Sequence, residues 1–118
     1  MDYNNTTPMA TNHIGTTKVN LGGVSIHYSP QHSTDTVTID YAGILHNSGA
    51  AGVYLRAGIN NGYGWQNLHD YPMHRTVSGW QAQVPIQPGQ TIDFCFKDSA
   101  NNWDNNNQHN WSLTLATY

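Results

Sequence analysis

The sequence has few charged residues, a single cysteine and no glutamate. Only 9% of its 118 residues are charged, and the formal net charge is −3. Four basic side chains are too few to follow a phosphate backbone, so the composition argues against a nucleic-acid partner. The lone Cys95 excludes an internal disulfide framework and any metal site that needs several cysteines.

Long apolar segments are also missing. No run approaches the roughly 18 apolar residues that a membrane-spanning helix needs, so no membrane partner is expected. Residues 1–17 are polar and lack a charged segment followed by an apolar one, so no signal peptide is predicted there. The seven histidines show no metal-ligand spacing, and neither a metal nor a cofactor is predicted.

The residues that are abundant carry amide, hydroxyl and aromatic groups. Four Trp and seven Tyr are distributed among many Asn, Gln, Thr and Ser. Such a composition favours a surface that hydrogen-bonds neutral hydroxyl groups and packs aromatic rings against their apolar faces. It offers little long-range electrostatic attraction.

Short segments of alternating apolar and polar residues predict an all-β protein. The predicted strands are residues 24–28, 36–41, 53–58, 80–84, 92–97 and 111–115. Turn-forming residues separate them, which is typical of an antiparallel sandwich or barrel. Residues 1–18 are predicted to form a flexible arm, and residues 19–118 a single β-sandwich module without internal repeats.

Two tryptophans fall in segments that we predict to be loops. Trp65 lies in the turn-rich stretch 59–67, and Trp103 lies among asparagines after the strand 92–97. Each ring either packs into the core and anchors its loop, or stays exposed and binds a flat ligand. The composition leaves both interpretations open. Trp80 and Trp111 are in phase with inward-facing residues and are predicted to be core, whereas Tyr54 is predicted to face outward.

Asp98 and Asp104 flank the Trp103 segment and have three possible roles. They could face each other across a sugar bond as in a glycosidase, or hold a calcium ion, or accept hydrogen bonds from their own backbone. The third role is favoured, because aspartates in turns commonly bond to nearby amides. Cys95 is predicted to point away from the face shared by Phe94 and Phe96, without a neighbour that would make it a nucleophile.

Several motifs together resemble one known family. They are Val53-Tyr-Leu-Arg56, Trp65, Met73, Gly79-Trp80, Ile92-Asp-Phe-Cys-Phe-Lys-Asp98, Asn102-Trp-Asp-Asn-Asn106 and Asn110-Trp111. This set resembles the starch-binding carbohydrate-binding modules of family 25, which are kin to families 26 and 53. The resemblance covers about residues 24–115, and its most specific part is the strand that leads into Trp-Asp-Asn-Asn.

The resemblance implies an immunoglobulin-like antiparallel β-sandwich that binds α-1,4-glucans without hydrolysing them. It implies a site in which Trp65 and Trp103 stack on glucose units beside Tyr54. Asn105 and Asn106 match polar positions that hydrogen-bond glucose hydroxyls. This chain departs from the family in having Tyr54 where His is frequent, and in a longer segment around Trp65.

The predicted function is therefore non-catalytic binding of starch, amylose, glycogen or maltooligosaccharides. The expected partner is an α-glucan, and the chain is expected to be a monomer and a module of a larger amylolytic enzyme, with an extracellular location favoured by the resemblance. Two alternatives stay open. One is a β-sandwich interaction or spacer domain without a sugar site, and the other is a small glycosidase, which the absence of Glu disfavours.

Overall fold

A computed structural model describes residues 12–14, 22–29, 35–60, 62 and 64–117. Within these ranges the chain forms ten strands and one short helix. The strands are β1 Asn12–Ile14, β2 Val24–Ser29, β3 Asp35–Tyr41, β4 Val53–Asn60, β5 Trp65–Pro72, β6 His74–Arg75, β7 Trp80–Ile86, β8 Thr91–Asp98, β9 Trp103–Asp104 and β10 Trp111–Thr117, and the helix is α1 Ile44–Asn47. No helix in these ranges is long and apolar enough to cross a membrane.

The strands form two antiparallel sheets. The larger sheet has the order β1-β10-β8-β4-β5, with β9 also paired to β8, and the smaller sheet has the order β2-β3-β7-β6. Side chains alternate between the two faces of each strand, so every second residue of both sheets points into a shared core. The predicted all-β antiparallel sandwich is confirmed, and each of the six predicted strands is present.

The core is built from large side chains of both sheets. Tyr41 of the smaller sheet stacks on Phe96 of the larger one, with ring centroids 4.0 Å apart and an angle of 20° between the planes. Phe96 in turn meets Trp111 edge-on at 5.2 Å. Trp80 and Trp111 are both buried, as the alternation of their strands predicted.

The prediction of a loop over residues 59–67 is wrong at both ends. β4 continues to Asn60 and β5 begins at Trp65, and these two residues are cross-strand partners. The connection between Asn60 and Trp65 is therefore shorter than the density of turn-forming Asn and Gly residues indicated. Trp65 is therefore the first residue of a strand and not a loop residue.

Two further segments differ from the sequence interpretation. The apolar pair Ile44–Leu45, which lies between the predicted strands 36–41 and 53–58, begins the single turn of helix α1, and Leu45 is buried. Most of the proposed flexible arm, residues 1–18, lies outside the described residues. Within it, β1 pairs with the closing strand β10, and Ile14 is opposite Leu115.

A buried hydrogen bond joins the two sheets next to α1. The Tyr41 hydroxyl, from β3, donates to Asp104 Oδ2, in β9, at 2.6 Å. The same hydroxyl oxygen accepts the Leu45 backbone N–H at 3.1 Å. Burial, together with the Asp104 hydrogen bond, raises the pKa of the Tyr41 phenol above its ordinary value. The hydroxyl therefore keeps its proton at neutral pH and fixes the short strand β9 to the opposite sheet.

We expect Tyr41→Phe to lower the free energy of unfolding by about 1–3 kcal/mol, because it leaves a buried carboxylate and a backbone N–H without their partner. Urea denaturation at neutral pH measures this loss. Tyr54→Phe is the matched control, since Tyr54 is only partly buried on the outside of β4. An equal loss in both variants would contradict the structural role of the Tyr41 hydroxyl.

Candidate functional site

The outward surface of the larger sheet gathers three aromatic side chains predicted as site residues. Lys97 of β8 pairs with Trp103 of β9 on one side and with Tyr54 of β4 on the other. Residues directly opposite each other in a sheet point to the same face, so the side chains of Tyr54, Lys97 and Trp103 lie in a row. We call this surface the outer face; its members are Tyr54, Arg56, Trp65, Asp70, Lys97 and Trp103.

The outward position of Trp103 follows from its buried neighbour. Asp104 is 7% exposed and points towards Tyr41, so the alternation of the strand turns Trp103 to the opposite side. The Trp103 side chain is 44% exposed, which is unusual for so large an apolar group. The anchor interpretation of Trp103, in which its ring enters the core, is therefore excluded.

The turn that leads into β9 is shaped by Asp98. Its Oδ1 accepts the backbone N–H groups of Ala100 and Asn102 at 2.9 and 2.8 Å, and its Oδ2 accepts Asn102 Nδ2 at 2.9 Å. These hydrogen bonds, those from Asn102 foremost, hold the pKa of the Asp98 carboxyl below its usual value. Asp98 thus returns the chain tightly onto β8, which places Trp103 beside Lys97.

A charged cluster lies between the aromatic rings. Asp70 Oδ1 is 2.7 Å from Arg56 Nε, and Asp70 Oδ2 is 3.1 Å from both Arg56 Nη2 and Lys97 Nζ. The Arg56 Cζ atom is 5.2 Å from the centre of the Trp103 ring, and Lys97 Nζ is 5.6 Å from it. Lys97 Nζ is also 5.7 Å from the Tyr54 ring. These cation–π contacts fix both rings relative to the cluster.

Trp65 reaches the outer face because Gly58 has no side chain. A Cβ atom at Gly58 would lie 2.9 Å from Trp65 Cβ and 3.2 Å from both Trp65 Cε3 and Leu68 Cδ2. The Trp65 side chain therefore lies directly on the backbone of β4. Nearby, Asn60 Nδ2 donates to Asp93 Oδ2 at 2.6 Å, which ties this end of β4 to β8.

The structure places three of the five predicted site residues, Tyr54, Trp65 and Trp103, on the outer face. The side chains of the other two form hydrogen bonds within a turn. Asn105 and Asn106 follow β9, and both side chains make local hydrogen bonds. Asn105 Oδ1 accepts the Gln108 N–H at 2.9 Å, and Asn106 Nδ2 donates to the Asn110 carbonyl at 3.0 Å. A ligand contact by either asparagine stays a prediction, as does ligand stacking on Tyr54, Trp65 and Trp103.

The sequence alone did not predict that Arg56, Asp70 and Lys97 form one charged cluster. The alternation that turns Tyr54 outward also turns Arg56 outward, and the same alternation around Phe96 turns Lys97 outward. Asp70 could not be added, because it lies in a segment whose strand was not assigned. Its pairing with Arg56 depends on the register between β4 and β5, which no local pattern contains.

The alternative chemistries considered for this region find little support. All four oxygens of Asp98 and Asp104 accept hydrogen bonds, from turn N–H groups and from Tyr41. In the described part of the chain, no group of three or more His, Cys, Asp or Glu is placed to hold a metal ion. Cys95 is opposite Arg56, away from Phe94 and Phe96, and burial raises the pKa of its thiol to about 11. A thiol that stays protonated at neutral pH is a poor nucleophile.

Gly58→Ala tests how Trp65 is positioned. The added methyl group has no room, so we expect the indole to move away from β4 and the free energy of unfolding to fall by about 1–3 kcal/mol. Acrylamide quenching of tryptophan fluorescence should increase. Gly52→Ala is the control, because its Cβ would meet only Ser99 at 3.7 Å. Unchanged quenching in Gly58→Ala would show that Trp65 does not depend on this contact.

The charged cluster makes a prediction about acid stability. The Arg56 hydrogen bonds hold the pKa of Asp70 below its usual value, so the folded state gains stability from Asp70 above about pH 4 and loses it as the pH falls further. Asp70→Asn should therefore flatten the decline in melting temperature between about pH 5 and pH 2. Asp98 also has a lowered pKa, so part of the decline should persist. Identical pH profiles of the two proteins would contradict the proposed strength of the cluster.

Comparison with known proteins adds independent findings. An alpha-amylase of Clostridium acetobutylicum is 34% identical over 110 residues, which cover 90% of this chain and 13% of the amylase. This chain therefore spans only a small part of that relative's length. A solved structure titled "Crystal structure of Br derivative BhCBM56" matches with a TM-score of 0.47 and 16% identity, covering 88% of this chain and 98% of that one.

A family model described as a starch/carbohydrate-binding module of family 53 matches residues 24–94. This range includes Tyr54, Trp65 and the charged residues Arg56 and Asp70. The match supports a non-catalytic, carbohydrate-binding module but not family 25 in particular, which the motifs resembled most. Because the family model covers more than half of its length, the chain belongs to the starch/carbohydrate-binding modules of family 53.

Proposed function

We propose that the outer face binds α-1,4-glucans, such as starch, amylose, glycogen and maltooligosaccharides, without hydrolysing them. The observation that carries this proposal is the placement of Trp65, Trp103 and Tyr54 on one face of one sheet, around a charged cluster that offers hydrogen bonds. Aromatic rings match the C–H patches of sugar rings, and the polar groups between them match the hydroxyls.

The spacing of the rings suits several consecutive glucose units. Trp103 and Tyr54 are two strands apart, or about 10 Å at the backbone. Trp65 lies over Gly58, four residues along β4 from Tyr54 and about 13 Å away at the backbone. Sheet twist sets side chains on different strands at an angle to one another, which favours a curved chain over a flat one. An α-1,4-glucan has that curvature.

The cluster supplies donors and an acceptor between the rings. Arg56 and Lys97 carry N–H groups, and Asp70 carries the acceptor oxygens that hold them in place. Because these charges pair with one another and the ligand is neutral, binding should depend little on salt. The face is open, so we expect an affinity on the order of micromolar to millimolar.

Asn105 and Asn106 complete the proposed site through the parts of their side chains that the turn does not use. The turn occupies the side-chain carbonyl of Asn105 and the amino group of Asn106. The Asn105 amino group and the Asn106 carbonyl are therefore available to orient the 2- and 3-hydroxyls of a glucose unit. A carboxamide has two donors and one acceptor oxygen, so both roles are compatible with the turn.

We also propose that the chain acts as a monomeric module of a larger, extracellular amylolytic enzyme. Support comes from the alpha-amylase relative, of which the chain covers 13%, and from the motifs that resemble family 25. In such an arrangement the module would hold the enzyme on its insoluble substrate while the catalytic domain carries out the hydrolysis. The finer assignment to a family 25-like site rests on the motifs around Trp65 and Trp103.

Trp103→Ala tests the site directly. We expect it to abolish the retardation of the protein in native gels that contain amylopectin, because a stacked ring contributes about 1–3 kcal/mol in the analogous case of stacked bases. Val77→Ala is the matched control, since Val77 is a fully exposed apolar residue outside the outer face. Equal retardation of Trp103→Ala and the wild type would remove Trp103 from the site.

A fluorescence titration tests the ligand class. Maltoheptaose should change the tryptophan emission of the wild-type protein, and cellohexaose should change it little, because a straight β-1,4 chain does not follow angled rings. The change should be the same at low and high salt. If neither sugar alters the emission, the alternative interaction or spacer domain becomes the better interpretation.

A further inference from the structure

A groove runs along the side of the sandwich, away from the outer face. Two cavities of about 340 and 430 Å³ meet there at Tyr71, and each has a volume within the range of small-molecule sites. The groove lies between β5 of the larger sheet and β7 of the smaller sheet. We call it the side groove and define it by Asn67, His69, Tyr71, His74, Gln83 and Gln87.

The groove exists because the two sheets end here without closing on each other. Among the described strands, β5 is the last one of its sheet. In the smaller sheet, β6 pairs only with Trp80 and Gln81 of β7, so within the described residues 82–86 pair on the β3 side alone. Both edges therefore leave main-chain polar groups next to an apolar floor, which includes Ile59 and Ile92.

The lining chemistry selects a neutral ligand. Among the residues that the structure describes, no Asp, Glu, Lys or Arg lines either cavity, so a phosphate, a carboxylate or an ammonium group would find no permanent counter-charge there. Five amide side chains line the two cavities: Asn67, Gln81, Gln83, Gln87 and Gln90. A lining that combines amides with apolar side chains fits a molecule with hydroxyls at its edge and C–H groups on its face.

An aromatic pair marks the middle of the groove. The rings of His69 and Tyr71 lie 4.3 Å apart at an angle of 58°, and Tyr71 lines both cavities. Tyr71 is only partly buried, although it packs against the core. The pair therefore presents ring surface to the groove at the point where the cavities meet.

A β-bulge sets this lining. The register of β4 with β5 shifts between Ala57 and Ile59, and Asn67 has a φ of 54°, in the left-handed region. The extra residue on β5 lets Leu68 turn outward while Asn67 lines the groove. Bulges that redirect side chains in this way are frequent next to functional sites.

A peptide strand is a poor fit for the same groove. A strand would have to pair with the edge of β5 or β7, yet Pro72 ends β5 and Pro85 lies within β7. Prolines lack the N–H that a ladder requires, and the Asn67 bulge interrupts the register. The edges are thus protected against strand addition, whereas a sugar chain needs no such ladder.

We propose that the side groove is a second saccharide site, which holds a short stretch of neutral glucan. It takes its ligand class from the proposed function and is otherwise independent of the outer face. The strands β4 and β5 separate the two sites, with Trp65 and Leu68 on one side and Asn67, His69 and Tyr71 on the other. A long glucan passing around the β5 edge could contact both sites, whereas a short oligosaccharide would fill one at a time.

NMR can observe the groove without interference from the outer face. Maltoheptaose is titrated into the Trp103→Ala protein while the ring protons of His69 and Tyr71 are followed. We expect saturable shifts of both residues. Gln87→Ala in the same background should raise the apparent Kd by about five-fold, the effect of one lost hydrogen bond. Asn47→Ala, an exposed amide of α1 outside the groove, should leave the Kd unchanged.

Each result separates the two sites. Absent or non-saturable shifts at His69 and Tyr71, or equal Kd values with and without Gln87→Ala, overturn the groove proposal. If maltoheptaose changes the tryptophan emission of the wild-type protein but does not shift the His69 and Tyr71 signals, only the groove proposal is wrong and the outer-face proposal is retained. If the groove shifts without any change of emission, the outer-face proposal fails and the groove stands. Shifts with a strand-forming peptide but not with maltoheptaose overturn the ligand class.

Discussion

The hydrogen bond from Tyr41 to Asp104 determines which way Trp103, the most exposed of the four tryptophans, faces. β9 has only two residues, too few to hold a register by their own ladder. Because the Asp104 carboxylate is held in the interior by a hydroxyl from the opposite sheet, its neighbour Trp103 has to point outward. The same hydroxyl accepts the Leu45 N–H, so the helix between β3 and β4 shares this fixed point. One buried polar contact therefore both joins the two sheets and places Trp103 on the surface of the larger sheet.

The outer face is held rigid by two different means. At one end, the absence of a side chain at Gly58 lets Trp65 lie directly against the backbone. At the other end, Arg56 and Lys97 share the carboxylate of Asp70 and contact the Trp103 ring. The charges there pair with one another, so they orient rings and hydrogen-bond donors without demanding a charged ligand. Rings that are fixed before binding lose little conformational entropy when a sugar covers them, which matters for a site with few contacts.

The local alternation of apolar and polar residues predicted most of the strands. The arrangement of the site, in contrast, depends on the register between neighbouring strands. Alternating residues from Val24 to Leu115 predicted the strands and the buried Trp80 and Trp111. The density of Asn and Gly predicted a turn between β4 and β5 but not its length, so Trp65 was expected in a loop and instead begins β5. The contact of Asp70 with Arg56 and Lys97 spans three strands, and no window of sequence contains that information. The resemblance to starch-binding modules supplied what periodicity could not, namely that Trp65 and Trp103 belong to one surface.

The proposed second site lies on the open side of the sandwich, between the edges of the two sheets. A two-sheet fold must end each sheet somewhere, and free edges invite aggregation unless prolines, bulges or covering segments protect them. Here Pro72, Pro85 and the Asn67 bulge protect both edges, and they leave a groove that main-chain pairing does not fill. A ligand without a peptide ladder can occupy such a groove without reversing that protection. Two weak sites on either side of one rigid ribbon would hold a long polymer far better than a short oligosaccharide, because the second contact becomes intramolecular once the first has formed. Selectivity for polymeric glucan would then follow from the spacing of the sites and not from high affinity at either one.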